Sequence, residues 1–183
     1  MRLLIVGMDE PGHVGRFLYD AARSEGYDVK IVNSAHAMEG NALFRRVIWR
    51  MLKRPIRLGR FSEEVRSTVV KWNPRLLITT GLCPINLHNL VAIRTKNTKL
   101  INYSTDDPWN RSHRSRWFLN AISEYDHVFS TRRSNLSDFK SIGCRRVSWL
   151  PFAYEPSIHF PVDSGEKKWA SDIAFVGGAD ADR

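Results

Sequence analysis

Short apolar runs alternate along the chain with longer stretches whose apolar residues recur at helical spacing. Leu3–Val6 predicts a first strand that ends at Gly7. Phe17, Leu18, Ala21 and Ala22 fall on one face of a helix from about His13 to Glu25, and Gly26 ends it. Tyr27–Val32 predicts a second strand, and the pattern from Asn41 to Trp72 is helical in pieces, broken at Pro55 and Gly59. Arg75–Thr79 predicts a third strand, followed by a helix from Pro84 to about Thr95. Lys99–Tyr103 predicts a fourth strand, and a helix near Ser112–Ser123 comes next. Asp126–Ser130 predicts a fifth, followed by a helix Thr131–Ile142 that Gly143 stops; Arg146–Leu150 predicts a sixth, closed by Pro151. Strands joined by helices require right-handed crossovers. The expected fold class is therefore α/β, a doubly wound, Rossmann-like parallel sheet of about six strands.

In such a sheet, ligands bind at the carboxyl ends of the strands. The residues expected there are polar. In KLINYSTDDPWN (Lys99–Asn110) the apolar run stops at Ser104-Thr105-Asp106-Asp107-Pro108, where two carboxylates and a proline force a turn. Gly12-His13 opens the first helix, Thr80-Gly81 follows the third strand, Ser130-Thr131-Arg132 the fifth, and Phe152 the sixth. Hydroxyls, carboxylates and guanidinium groups on adjoining strand ends suit a many-hydroxyl ligand or a phosphate. A histidine in that position is able to take a proton from an acceptor hydroxyl, because its ordinary charge change falls near neutral pH. Six of these residues also have a plainer reading. Asp106, Asp107, Ser130 and Thr131 are good helix caps, His13 reads equally as a surface or cap histidine, and Arg132 as a solvated side chain.

Several chemistries are disfavoured. The first loop, Gly7–Gly15, is neither G-x-G-x-x-G nor a P-loop. There is no H-E-x-x-H, no paired C-x-x-C and no Ser-His-Asp spacing, and Asp106-Asp107 lacks an evident third ligand, so no metal is expected.

The chain has 183 residues, 43% of them hydrophobic and 26% charged, the balance of a soluble globular protein. Its first apolar run is too short for a signal peptide, and no run approaches the ~20 residues needed to span a bilayer. Cys83 and Cys144 form neither a disulfide framework nor a metal cluster and read as small buried residues in a reducing compartment. A cytoplasmic location is expected. The net charge of +9 favours polyanionic partners. Arg45–Arg60 carries seven cationic side chains and no acid, with Phe44, Val47, Ile48 and Met51 on one helical face. That segment is either a cationic amphipathic helix for peripheral contact with an anionic membrane, or a core-packed helix with a charged outer face. No recognised nucleic-acid-binding module is present, and nucleic acid is not an expected partner.

Pro156–Gly165 reads as a connection, and Asp172–Val176 begins again as a buried strand that reaches Gly177-Gly178. This strand either adds to the edge of the first sheet or opens a second α/β unit in a longer protein; the second reading is adopted. The expected organisation is a domain over 1–156, a linker over 157–171, and the start of a second domain over 172–183.

Tyr125-Asp126-His127-Val128-Phe129-Ser130-Thr131, Gly143, Trp149-Leu150-Pro151-Phe152-Ala153-Tyr154-Glu155-Pro156, Asp172-Ile173-Ala174-Phe175-Val176-Gly177 and Arg183 occur in the order of a family pattern. Together with Asp106-Asp107-Pro108 they resemble the CgeB-like (spore maturation protein) branch of the GT-B glycosyltransferases. The resemblance covers residues 99–183 and is architectural before that. It implies two Rossmann-like domains, the N-terminal one receiving the acceptor and the C-terminal one most of a nucleotide-sugar donor. The donor is a substrate, and no cofactor or bound metal is implied. It makes His13, Asp106 and Asp107 the candidate catalytic residues, and it implies that a chain ending at Arg183 lacks the donor-binding residues. The alternative is a stand-alone Rossmann-like module that binds a phosphorylated ligand or anionic surface without catalysis.

Overall fold

The four central residues of the first strand, Leu3 to Val6, are all buried, and this is possible only if helices cover both faces of the sheet. The computed structural model describes residues 1–94, 97–111, 114–161 and 171–173. The strands are β1 (Arg2–Gly7), β2 (Asp28–Asn33), β3 (Leu76–Thr80), β4 (Lys99–Ser104), β5 (His127–Ser130) and β6 (Val147–Trp149). They form one sheet in the order β2-β1-β3-β4-β5-β6, and every pairing is parallel. The chain leaves β1 for β2 on one side and returns for β3 on the other, so the direction of winding reverses between β1 and β3.

Right-handed crossovers then force the helices onto opposite faces. Helix α1 (Val14–Ser24) packs Ala22 and Leu18 against Leu3 and Ile5. On the other face, Leu4, Val6, Leu77 and Leu100 meet α3 (Leu58–Trp72) through Phe61, Val65 and Val69. They also meet α4 (Leu87–Arg94) through Leu90 and Ile93, and α5 (Arg116–Ala121) through Phe118. Odd and even positions of β1 thus feed two separate cores, as the alternation of side chains along a strand requires. Helix α6 (Asn135–Ser141) contributes Phe139, which meets Trp109 edge-on at 4.9 Å.

The sheet is as expected; several helices are not. A 3-10 turn at Ser34–Met38 was not expected. Gly59 does not break the helical stretch but lies inside α3. The break falls earlier, where α2 (Ala42–Leu52) ends on Lys53 in the left-handed region (φ 48°) and Pro55 follows. None of the side chains of α2 is buried, so the core-packed alternative for this helix does not hold. The helix expected from Thr131 begins only at Asn135. Ser130 delays it: its hydroxyl donates to the Arg132 carbonyl and accepts from the Arg132 amide, which closes a local turn. The helix expected near Ser112 begins at Arg116 and runs into a 3-10 turn, Ile122–Glu124.

Contacts divide the chain into two units, Met1–Ala153 and Tyr154–Arg183. In the second, the amides of Ile158 and His159 both donate to the Glu155 carbonyl. From residue 174 onward the expected strand Asp172–Val176, Gly177-Gly178 and Arg183 lie outside the described residues.

Candidate active-site cleft

The carboxyl ends of the strands share one edge, and a cleft of about 350 Å³ opens there at the point where the winding reverses. Its lining comes from the β1–α1 loop and first turn of α1 (Met8, His13, Val14, Gly15), the end of β2 (Ser34), the end of β3 (Thr80–Cys83), and the β4 loop (Thr105, Asp106).

Glycine makes the cleft possible. A Cβ on Gly15 would stand 2.7 Å from the Met8 carbonyl oxygen and 3.0 Å from two backbone atoms of Gly7. A Cβ on Gly7 would collide with Thr80 Oγ1 and stand 3.0 Å from the Gly15 Cα. The end of β1 and the first turn of α1 are therefore packed backbone to backbone, closer than any side chain permits, and the Thr80 side chain at the end of β3 fills the space beside Gly7. Gly81 is constrained twice: its φ is +60°, and a Cβ would meet Asp106 Oδ2 at 3.0 Å and Thr105 Oγ1 at 3.2 Å.

The first loop is shaped by polar links. Asn33 Oδ1 accepts from the amides of Asp9 and Ala35, tying the loop to the end of β2. Gly12 takes φ +85° to turn the chain into α1. His13 stands at the N-cap position with extended backbone, and its side chain makes no capping hydrogen bond. The imidazole Nε2 lies 3.8 Å from Glu10 Oε2, both side chains being about half exposed. The helix thus presents its amide end to the cleft, a setting that favours negative charge.

Beneath the cleft lies a buried polar network. Asn102 Nδ2 donates to Thr79 Oγ1 (2.8 Å) and to the Gly81 carbonyl (3.2 Å), and Thr79 Oγ1 donates to the Tyr125 hydroxyl (3.1 Å). All three residues are essentially inaccessible to water. The network holds the start of the Gly81 turn, while the Gly81 amide donates to the Tyr103 carbonyl at 2.8 Å. Cys83 lines the cleft yet is buried, and burial pushes its thiol well up from its usual range. It is not a nucleophile at neutral pH.

The residues singled out in the sequence fall into two groups. His13, Thr80, Gly81, Thr105 and Asp106 line the cleft, with Gly12 beside them. Asp106 is exposed and accepts from Thr105 Oγ1 at 3.3 Å. Asp107 is turned into the protein: its Oδ1 accepts from the Trp109 amide (3.0 Å) and from Asn135 Nδ2 (2.9 Å). Two adjacent carboxylates thus have different work, one open to a ligand and one fastening the turn.

The remaining residues sit along the β4–β6 part of the edge and bond mainly to protein. Ser104 and Ser130 are buried, and Ser104 Oγ donates to the Asp106 carbonyl. Thr131 Oγ1 donates to the Thr105 carbonyl, joining the two loops. Arg132 is exposed, and its neighbour Arg133 stacks over Trp149 at 3.9 Å. Phe152 is exposed and meets Tyr103 edge-on at 6.4 Å, while the Tyr103 hydroxyl donates to the Pro151 carbonyl at 3.0 Å. Sequence reasoning missed Gly7, Gly15, Met8 and Ser34. The two glycines bracket the first loop, and this was the available signal. Among the described residues, no three His, Cys, Asp or Glu side chains gather where they could hold a metal ion.

The fold and cleft define a doubly wound α/β protein with a polar site at its switch point. No family model and no curated protein matches this sequence. Among solved structures the chain is similar to the crystal structure of the glycosyltransferase SnogD from Streptomyces nogalater, at 16% identity and a TM-score of 0.43. That match covers 90% of this chain and 57% of the other, so the chain spans little more than half the length of that structure.

Proposed function

We propose that this chain is the acceptor-binding half of a GT-B glycosyltransferase, which moves a sugar from a nucleotide-sugar donor to an acceptor hydroxyl. The observation that carries the reading is the meeting of His13 and Asp106 in one cleft with Thr80, Gly81 and Thr105. In this reading the His13 imidazole takes the proton from the acceptor hydroxyl as the hydroxyl oxygen attacks the sugar's anomeric carbon. The bond from that carbon to the donor phosphate breaks, and the nucleoside diphosphate leaves with the electron pair. Asp106 and the hydroxyls of Thr80 and Thr105 orient the acceptor. The amide end of α1 favours the charge that gathers on the leaving phosphate. The CgeB-like resemblance and the ordered motifs toward residue 183 support a donor domain contributed by further chain.

The test is turnover of a panel of nucleotide-sugars by the protein encoded by the full reading frame, beside the 183-residue chain alone. Turnover by the longer protein, none by the shorter, and a kcat about 10²–10⁴-fold lower for His13→Ala are expected. Transfer by the 183-residue chain, or a His13→Ala variant with undiminished kcat, contradicts the proposal.

A further inference from the structure

Helix α2 is amphipathic, and while Ile48 and Trp49 are half-buried, the rest of its apolar side stands exposed. Leu43 is 67% exposed, Phe44 64%, Val47 44% and Met51 75%. At helical spacing these four share one face, and Arg46 and Arg50 border it on one side. The exposed side of the helix is therefore half hydrocarbon and half cation. No acidic residue occurs between Glu39 and Glu63, and Arg54 and Arg60 extend the positive charge past the end of the helix. Arg57 is excluded from that set because it pairs with Glu39 at 2.6 Å.

The helix is nonetheless firmly mounted. Asn41 Oδ1 caps it by accepting from the amides of Leu43 and Phe44. At the other end, Ser115 Oγ and Trp117 Nε1 each donate to the Lys53 carbonyl at 2.8 Å. The Asn41 cap stabilises the helix from within, and the two bonds to the Lys53 carbonyl fasten its far end to the body of the protein. The helix itself follows the carboxyl end of β2, and the segment that fastens it follows that of β4, the edge that carries the cleft.

We propose that α2 docks flat on an anionic lipid bilayer, with Leu43, Phe44, Val47 and Met51 entering the headgroup–acyl boundary and Arg46 and Arg50 meeting the phosphates. Large aliphatic and aromatic side chains beside cations, with no acid, is the composition of an interfacial helix. Among the described residues no helix is long and apolar enough to cross a membrane, so the contact is with the surface. A second copy of the chain is the poorer occupant. Joining two such faces would bring Arg46 and Arg50 against their own counterparts, and like charges in contact oppose association. The docking stands apart from sugar transfer, and its readout is partition to lipid.

The experiment is co-sedimentation of the chain with vesicles of equimolar phosphatidylglycerol and phosphatidylcholine, and with vesicles of phosphatidylcholine alone. Binding to the anionic vesicles, weakening as salt is added, and little binding to the neutral ones are expected. Arg46→Gln with Arg50→Gln should weaken partition about 25-fold, about fivefold for each cation. Phe44→Ser with Met51→Ser should abolish pelleting while leaving the thermal midpoint unchanged, since neither side chain is packed. Equal pelleting with both vesicle types, or with neither, overturns the proposal. So does a Phe44→Ser/Met51→Ser protein that pellets like the parent, or a solution dimer lost in that variant without any lipid binding.

Discussion

Single residues decide how the cleft is built, and the smallest are the most demanding. The space a side chain at position 15 would need is occupied by the Met8 carbonyl oxygen, 2.7 Å away, and backbone cannot rotate aside as a side-chain tip can. Gly15→Ala is therefore expected to cost about 1–3 kcal/mol, read as a lower urea midpoint with an unchanged slope. A midpoint equal to the parent's would show that α1 moves away from β1 without cost. Asp106 and Asp107 teach a different lesson. From the sequence they are two equal candidates; in the fold, only Asp107 has Trp109 and Asn135 within hydrogen-bonding reach of one oxygen. Cys83 and Cys144 were read as buried, and they are; burial pushes the Cys144 thiol up to about 11.

Among the elements, α2 differs most from what its pattern implied. A helix usually owes its stability to the face it buries. This one buries no side chain fully, so hydrogen bonds hold it: the local Asn41 cap and the long-range bonds from Ser115 and Trp117 to the Lys53 carbonyl. Asn41→Ala should remove about 1 kcal/mol from the helix. The loss should appear as faster amide exchange within Ala42–Leu52, with exchange in α3 unchanged, because α2 opens without exposing core. Equal slowing or hastening of exchange in both helices would mean that α2 belongs to the cooperative core. Helix α3, by contrast, tolerates Gly59 in its first turn because Phe61, Val65 and Val69 pack tightly beneath the sheet. Packing outweighs the roughly 1 kcal/mol that a glycine costs a helix.

At the scale of the molecule, His127 links the stability of the sheet to pH. His127 stacks on Phe129 with ring centroids 4.0 Å apart and shares a 2.8 Å hydrogen bond with Ser148 Oγ. Burial first, and the nearby Arg146 charge second, hold its pKa below the ordinary value. The unfolded chain then binds more protons than the folded one between the lowered and the ordinary imidazole pKa. Stability from this group is full above the ordinary range and falls as pH drops through it toward the lowered value. The urea midpoint of the parent should fall more steeply from about pH 7 to about pH 5 than that of His127→Gln; equal slopes would remove His127 from the account.

The sequence by itself determined the layered architecture and the edge on which polar turns collect. Apolar periodicity is a local property, and right-handed crossovers leave few ways to join six such strands. Only the tertiary structure decided that the Gly7–Gly15–Thr80 node closes the cleft floor, that Asp106 and not Asp107 lines it, and that α2 keeps its apolar face in water. Each of those depends on which backbone from far along the chain arrives within a few ångströms. Spacing along one segment carries no record of that approach.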